Sequence, residues 1–258
     1  MTLFEELKTF VKSILHWIYS LIFFSLFFFL FGLHKVVIYG QSLTLPVLSK
    51  ESFPVQLFKM IQHDFLPYGV SIIVTNPWTG FIAQFEIAVI LAFILIFPFF
   101  LYKITRYLSP ALFDYEKKSI FKSLTLSTFL FFLGCLFAYY YMVPLTFSFM
   151  YPFTISLGVT PFFELEAFMA WVICILIVTG VTFLLPIFMI VLSSLGVVSP
   201  SFWKSKWQQA FLFLLIFSAI ITPDQTGVTM VLLFIPLAIL YVAGLILTSR
   251  VKVAGSNA

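Results

Sequence analysis

Long apolar runs alternate with short polar segments along the whole chain, a pattern that predicts a membrane-spanning protein. The first run contains LIFFSLFFFLFGL, and about 20 such residues in a helix that rises 1.5 Å per residue cross a hydrocarbon core about 30 Å thick. We predict one helix for each run. The predicted spans cover residues 14–34, 80–102, 122–148, 165–193, 208–222 and 228–248. The sequence thus predicts an all-α membrane protein in which residues 1–258 form a single six-span domain.

Two features of the apolar runs predict an irregular bundle. Residues 208–221 would extend only about 21 Å as a helix, so we expect short spans at the fifth and sixth positions. Four spans also contain a proline, which removes a backbone donor and kinks or ends a helix. These prolines are Pro98, Pro144, Pro186 and Pro236. We therefore expect kinked helices in a curved arrangement.

The segment between the first two spans, residues 35–79, is too long for a simple connection and contains four prolines. Connections in compact domains usually have about 4–6 residues. We expect this segment to hold short helices against the outer face of the membrane.

Lysine and arginine residues are concentrated at every second gap between the predicted spans. Eleven of the fourteen lie at the N-terminus, in the second–third and fourth–fifth connections and in the tail, and the other three lie in the long first loop. The eleven are Lys8, Lys12, Lys103, Arg106, Lys117, Lys118, Lys122, Lys204, Lys206, Arg250 and Lys252. Basic residues that flank spans stay on the cytoplasmic side or its organellar equivalent, so both termini are predicted there. We call this side the basic face and the other side the opposite face.

Composition excludes several classes of protein. A chain that is 62% hydrophobic and 9% charged, with a mean hydropathy of +1.13, cannot be a soluble domain. The net charge of +4 comes from lysines that flank spans, so it does not indicate nucleic-acid binding. Cys135 and Cys174 lie in apolar runs and are predicted to be buried, without a disulfide or zinc site. His16, His34 and His63 form neither a haem-ligand pair nor an HExxH motif, so we expect no enzyme and no cofactor.

Two acids stand out on the basic face. Glu6 lies in FEELKTF just before the first span, and Glu116 lies in SPALFDYEKK just before the third. A carboxylate accepts an arginine guanidinium through two parallel hydrogen bonds, so two such acids can receive a peptide with two arginines. The alternative is that both simply stabilise the starts of their helices, where a negative charge is favourable.

Several sequence blocks make the chain resemble a known family, the C subunit of the twin-arginine protein translocase (TatC). The strongest block is PFFLYKITRYLSPALFDYEKK at residues 98–118. The supporting blocks are FEELK at 4–8, GCLFAYYYMVPLTFSFM at 134–150, GVTFLLP at 180–186, LGVVSP at 195–200 and ITPDQTGVTMVLLFIPLAILY at 221–241. The order of the blocks, the six predicted spans and the charge distribution all agree with that family.

The resemblance implies a function in protein export. In that family the N-terminus and the first cytoplasmic loop bind the twin-arginine signal peptide of a folded protein. The matching residues here are the glutamates Glu6 and Glu116, with Lys8, Tyr107 and Pro110 in the same motifs. The resemblance further implies small single-span TatA- or TatB-like partners, an oligomeric assembly in the lipid bilayer and transport driven by the proton gradient. It also implies an energy-transducing membrane, either a bacterial inner membrane, a thylakoid or a mitochondrial inner membrane.

The chain departs from the family pattern at a few positions. Leu184 stands where the family often has a polar residue, and Val242 stands where it usually has a glutamate. Asp224, in the turn before the sixth span, matches the family only approximately and is a candidate partner contact. Glu86 lies within the second span, where a family member more often has a cation. A charge at the bilayer centre costs roughly 2.5–3.5 kcal/mol, so we expect Glu86 either to contact a partner's span or to reach the outer headgroups.

A second hypothesis is a solute permease or transporter subunit. Such a protein needs an internal repeat and a polar site at the membrane midplane. The sequence shows no convincing repeat, and Glu86 is the only charged residue within the predicted spans apart from their ends. The translocase subunit therefore remains the leading interpretation.

Overall fold

The structure is a computed structural model of the full chain. It describes the backbone of residues 3–38, 41–66, 70–108, 114–159, 162–194, 196–222 and 227–249. Side chains are described over the same ranges except at residues 3–13, 35–38, 41–43, 104–108 and 114–123.

Helices account for most of the described chain, with four short strands on the opposite face. The helices are α1 Leu3–Leu30, α2 Phe53–Phe65, α3 Thr79–Leu108, α4 Asp114–Phe137, α5 Val143–Ser156, α6 Leu165–Thr182, α7 Leu185–Ser194, α8 Pro200–Ser205, α9 Trp207–Ile221 and α10 Val228–Thr248. A π-helical turn, Ala138–Met142, joins α4 to α5. The strands are β1 Phe31–Ile38, β2 Gln41–Leu48, β3 Ser71–Ile73 and β4 Phe162–Glu164.

Four of the predicted spans are matched by helical stretches long and apolar enough to cross a membrane. These are Thr79–Lys103, Leu124–Ser156, Leu165–Ser194 and Val228–Thr248. The first and fifth predicted spans correspond to shorter apolar helices, Ile14–Leu30 and Trp207–Ile221. The all-α membrane architecture is confirmed, whereas the count of six spans stays a prediction. The predicted sixth span, α10, is not short, because its 21 residues extend about 32 Å.

The first span ends earlier than predicted, because residues 31–34 belong to a strand. β1 pairs with β2 in an antiparallel hairpin, with Phe31 opposite Leu48 and Ile38 opposite Gln41. The Gln56 side chain holds this hairpin against α2, since its amide donates to the Leu33 carbonyl at 2.9 Å. The expected short helix in the long loop is confirmed by α2, but the hairpin was not foreseen.

The prolines act in three different ways. α3 and α10 continue past Pro98 and Pro236, so neither of these prolines ends its helix. Pro144 is the second residue of α5, which directly follows the π-helical turn. At the end of that turn, the Val143 N–H donates to the Ala138 carbonyl five residues back. Pro186 is the second residue of α7, after a break that interrupts the fourth span at residues 183–184.

Contacts divide the chain into two units. The first consists of Met1–Phe100 with Phe147–Ile173, and the second consists of Leu101–Thr146 with Cys174–Ala258. In the first unit, Phe147 packs its ring against Phe163, Phe168 and Trp171, with ring centroids 5.4, 5.5 and 5.1 Å away. This aromatic cluster surrounds the beginning of α6.

In the second unit, α4 and α6 approach closely through two glycines. A Cβ atom on Gly134 would lie 2.9 Å from the Gly180 Cα and 2.8 Å from the Phe183 ring. Small residues at crossings let membrane helices pack backbone against backbone. Cys135 is buried beside this crossing, as predicted, and its thiol donates to the Leu176 carbonyl. Cys174 is exposed, contrary to prediction, because it lies on the outward side of α6.

Candidate functional site

Four of the residues predicted to bind a signal peptide lie in the end regions of α1, α3 and α4. Glu6 and Lys8 belong to the first two turns of α1, which begins at Leu3. Glu116 is the third residue of α4, and Tyr107 is the last residue but one of α3. Pro110 lies outside the described residues, as do the side chains of the other four. Their role therefore stays a prediction, although the backbone puts both glutamates near helix starts.

The connection between α3 and α4 keeps two of these positions near each other. α3 ends at Leu108 and α4 begins at Asp114. The chain between these residues spans at most about 22 Å. Tyr107 and Glu116 thus lie at two neighbouring helix ends. The basic residues of this connection, Lys103, Arg106, Lys117 and Lys118, lie within the end of α3 and the beginning of α4.

Glu86 is a carboxylate within the membrane-spanning part of α3. Its side chain is half-buried, and its Oε2 atom is buried without a hydrogen-bond partner among the described residues. The neighbouring Ile82 and Phe85 are exposed. The salt bridges formed by the described residues do not include Glu86.

The acids of the opposite face, Glu164 and Glu166, sit at the beginning of α6. β3 and β4 pair in parallel, with Ile73 opposite Glu164. The Thr75 hydroxyl donates to the Glu164 carboxylate, while Glu166 is exposed. Thr75 lies just before α3, so this bond links the approaches to α3 and α6.

An ion pair stabilises the loop next to the hairpin. Lys59 Nζ lies 2.7 Å from Glu51 Oε1. This hydrogen bond and the lysine charge lower the pKa of the Glu51 carboxyl below its ordinary value. Both side chains are exposed, so the pair contributes little to stability.

Leu184 lines an apolar cavity in the second unit. The cavity has a volume of about 320 Å³ and is formed by α9, α10 and the break between α6 and α7. Thr182 also lines it, but its hydroxyl already donates to the Thr179 carbonyl. The other residues that line the cavity have apolar side chains.

A hydrogen-bonded chain on the basic face was not foreseen from the sequence. The Trp203 indole N–H donates to the Ser193 hydroxyl at 3.0 Å. The Tyr241 hydroxyl donates to the Trp203 carbonyl at 2.7 Å. Phe211 then packs edge-on against both Tyr241 and Trp207, with ring centroids 5.7 Å away in each case. These bonds fix α8 to the end of α7 and to the interior of α10. Val242, the next residue in α10, is exposed, and Asp224 lies outside the described residues.

Comparisons with known proteins agree on one family. The model of the family "Sec-independent protein translocase protein (TatC)" matches residues 5–236. A TatC protein of Cenarchaeum symbiosum is 32% identical over 196 residues, which are 76% of this chain and 74% of that protein. A TatC protein of a Blattabacterium species is 35% identical over 190 residues, 72% of this chain and 70% of that protein. A TatC-like protein of Gracilaria tenuistipitata, ycf43, is 29% identical over 179 residues, 69% of this chain and 75% of that protein.

Solved structures agree with the sequence relatives. A crystal structure of the twin-arginine translocase receptor TatC superposes with a TM-score of 0.74 and 26% identity, over 95% of this chain and 98% of that one. A second structure of that receptor, in DDM, gives a TM-score of 0.75 over 94% and 99% of the two chains, again at 26% identity. Sequence, apolar helices and fold thus lead to the same conclusion. The chain is an integral membrane protein that belongs to the TatC family of protein translocase components.

Proposed function

We propose that this chain is the receptor subunit of a twin-arginine protein translocase. It binds the signal peptides of folded proteins at its basic face and is a scaffold for small single-span subunits, in a complex driven by the proton gradient. The observation that carries the proposal is the likeness over nearly the whole chain to a solved twin-arginine translocase receptor. The apolar helices and the basic residues in the adjoining ends of α3 and α4 support it.

Recognition rests on charge and hydrogen-bond geometry. Glu6 and Glu116 are in the first turns of α1 and α4, where the helix dipole favours a negative charge. Each carboxylate accepts two parallel N–H bonds from a guanidinium, which a lysine ammonium cannot supply. Removal of one partner from such a desolvated pair costs about 2–5 kcal/mol. We assign Lys8, Tyr107 and Pro110 to the same binding site.

The test is peptide binding to the full chain in lipid nanodiscs, measured by fluorescence anisotropy. A labelled twin-arginine peptide should bind the unmodified chain, and a twin-lysine peptide should bind much more weakly. Glu6→Gln and Glu116→Gln keep the side-chain size but remove the charge. Each should weaken binding by about 30-fold or more, the equivalent of 2 kcal/mol.

Glu166→Gln is the matched control, because Glu166 is an exposed first-turn glutamate on the opposite face. It should leave binding unchanged. Full affinity in both Glu6→Gln and Glu116→Gln would refute the assigned roles. A photo-cross-linker at position 116 that captures no signal peptide in native membranes would refute them independently.

The same proposal assigns Glu86 to a contact with a partner's span. Its Oε2 atom is buried without a hydrogen bond in the described part of the chain, and exposed apolar side chains flank it. A helix that brings a hydrogen-bond donor or a cation to this depth would satisfy the carboxylate. Asp224, before α10, is a second candidate contact on the opposite face.

Native gels of the assembled complex test the Glu86 contact. Glu86→Leu should release the small subunit, and Glu86→Gln, which still accepts a hydrogen bond, should retain part of the complex. Glu166→Leu is the control, because it removes an acid near the beginning of α6 just as Glu86→Leu removes one near the beginning of α3. An intact complex in Glu86→Leu would exclude this contact and leave the signal-peptide site unaffected.

A further inference from the structure

The corner between α8 and α9, residues 199–207, presents two lysines between two exposed aromatic rings. Phe202 is 47% exposed and Trp207 is 48% exposed. Lys204 and Lys206 lie between them and are both exposed. In the described part of the chain, no carboxylate forms a salt bridge with either ammonium group. Two cations without a salt-bridge partner among the described residues thus lie, in sequence, between two rings suited to the membrane interface.

This corner is held in place from within. The Ser199 hydroxyl accepts the Phe202 N–H and so caps the beginning of α8. Trp203 is the inward-facing residue, because its indole donates to Ser193 and its carbonyl accepts from Tyr241. A segment fixed by these bonds presents its lysines without a large further cost in chain entropy.

The length of α9 places the corner at the lipid headgroups. Its 15 residues extend about 22 Å, which is less than the hydrocarbon thickness of about 30 Å. Trp207 is the first residue of α9, so it lies within the depth range of the interface rather than in bulk water. Lysine side chains extend from such a position to the phosphate level and keep their ammonium groups hydrated.

We propose that the α8–α9 corner binds anionic lipid headgroups. The lysines pair with the phosphate and the net negative charge of the headgroup, while Phe202 and Trp207 lie among the glycerol and upper acyl groups. Each lysine near an anionic surface contributes about a fivefold preference for anionic over neutral lipid. The pair should therefore enrich anionic lipid about 30-fold at this site. This inference does not depend on signal-peptide binding.

Quenching of Trp207 by brominated lipids tests the proposal. The full chain is placed in nanodiscs of phosphatidylcholine and phosphatidylglycerol, with bromine on the acyl chains of one lipid at a time. The emission of Trp207 is obtained by subtraction of the Trp207→Phe spectrum. Brominated phosphatidylglycerol should quench this emission far more efficiently than its share of the bilayer predicts.

Three variants make the test specific. Lys204→Gln with Lys206→Gln should reduce the local lipid ratio to that of the bulk bilayer, whereas Lys204→Arg with Lys206→Arg should preserve the enrichment. Lys50→Gln, which alters an exposed lysine of the first loop, should also preserve it. Equal quenching by the two lipids in the unmodified chain would overturn the proposal. It would indicate that the corner binds an acidic segment of a protein partner instead. The proposal also fails if the glutamine pair retains the enrichment or if neither lipid quenches Trp207.

Discussion

The bond between Tyr241 and α8 allows a quantitative test of the packing. Tyr241 is 2% exposed, and its hydroxyl donates to the Trp203 carbonyl at 2.7 Å. Tyr241→Phe removes only this hydroxyl and keeps the ring that packs against Phe211. The substitution therefore isolates one hydrogen bond between residues 38 positions apart in sequence.

The expected loss follows from the surroundings of the bond. A hydrogen bond in a protein contributes about 0.5–1.5 kcal/mol net, and a buried group left without its partner costs about 1–3 kcal/mol. Hydrogen bonds between membrane helices average about 0.6 kcal/mol, with a maximum near 1.7. We therefore expect Tyr241→Phe to lower the free energy of unfolding by about 1–2 kcal/mol. For a chain of this size, that loss corresponds to a fall of about 3–6 °C in Tm.

The assay is thermal unfolding in detergent, followed by tryptophan fluorescence at a fixed scan rate. Tyr140→Phe is the matched control, because Tyr140 is 65% exposed and its hydroxyl has no hydrogen-bond partner among the described residues. Tyr140→Phe should leave Tm unchanged. If Tyr241→Phe and Tyr140→Phe melt at the same temperature as the unmodified chain, the bond does not stabilise the α8 connection.

Three further predictions concern packing, pH and orientation. Gly134→Leu should lower stability by about 1–3 kcal/mol through overpacking at the helix crossing. Gly80→Ala, where an added Cβ meets nothing within 4 Å, should leave stability unchanged. Equal melting temperatures for the two variants would contradict the close approach of α4 and α6. The Lys59 partner lowers the pKa of Glu51, so their attraction is present above the ordinary pKa of a glutamate and is lost as pH falls through the lowered one. Lys59→Gln should raise the carbon-13 titration midpoint of Glu51, and an unchanged midpoint would exclude the pair. A single cysteine at Ser205, in a chain without its native cysteines, should react with an impermeant maleimide only from the cytoplasmic side or its organellar equivalent; labelling from the other side would reverse the topology.

The sequence predicted the helices whose boundaries depend on local signals. The predicted sixth span, residues 228–248, coincides with α10, because Gly227 with a φ of 75° directly precedes its first residue. The predicted fifth span differs from α9 by a single residue at each end. In both cases a long apolar run ends abruptly at polar or turn-forming residues.

The errors arose where distant residues decide the local structure. Phe31 and Leu33 extend the apolar run of α1, and only the pairing with β2 and the Gln56 bond to Leu33 show that residues 31–34 belong to a hairpin beside α2. Likewise, no local pattern announces that Tyr241 bonds to the carbonyl of Trp203. Glu6 and Glu116 could be proposed from sequence because charge at a membrane surface is visible there, and their role stays a prediction. Their mutual geometry could not be proposed, since it depends on how separate helices pack.

The length of α9 also makes this protein responsive to the lipid chains that surround it. α9 corresponds to the predicted fifth span, and its length of about 22 Å is about 8 Å less than the hydrocarbon thickness of about 30 Å. Mismatch costs fractions of a kcal/mol per Å, so the total reaches a few kcal/mol. That sum is a sizeable part of the 5–15 kcal/mol by which proteins are typically stable. Longer or more saturated acyl chains should therefore disfavour the folded state, and the protein should partition into the thinnest membrane regions available to it.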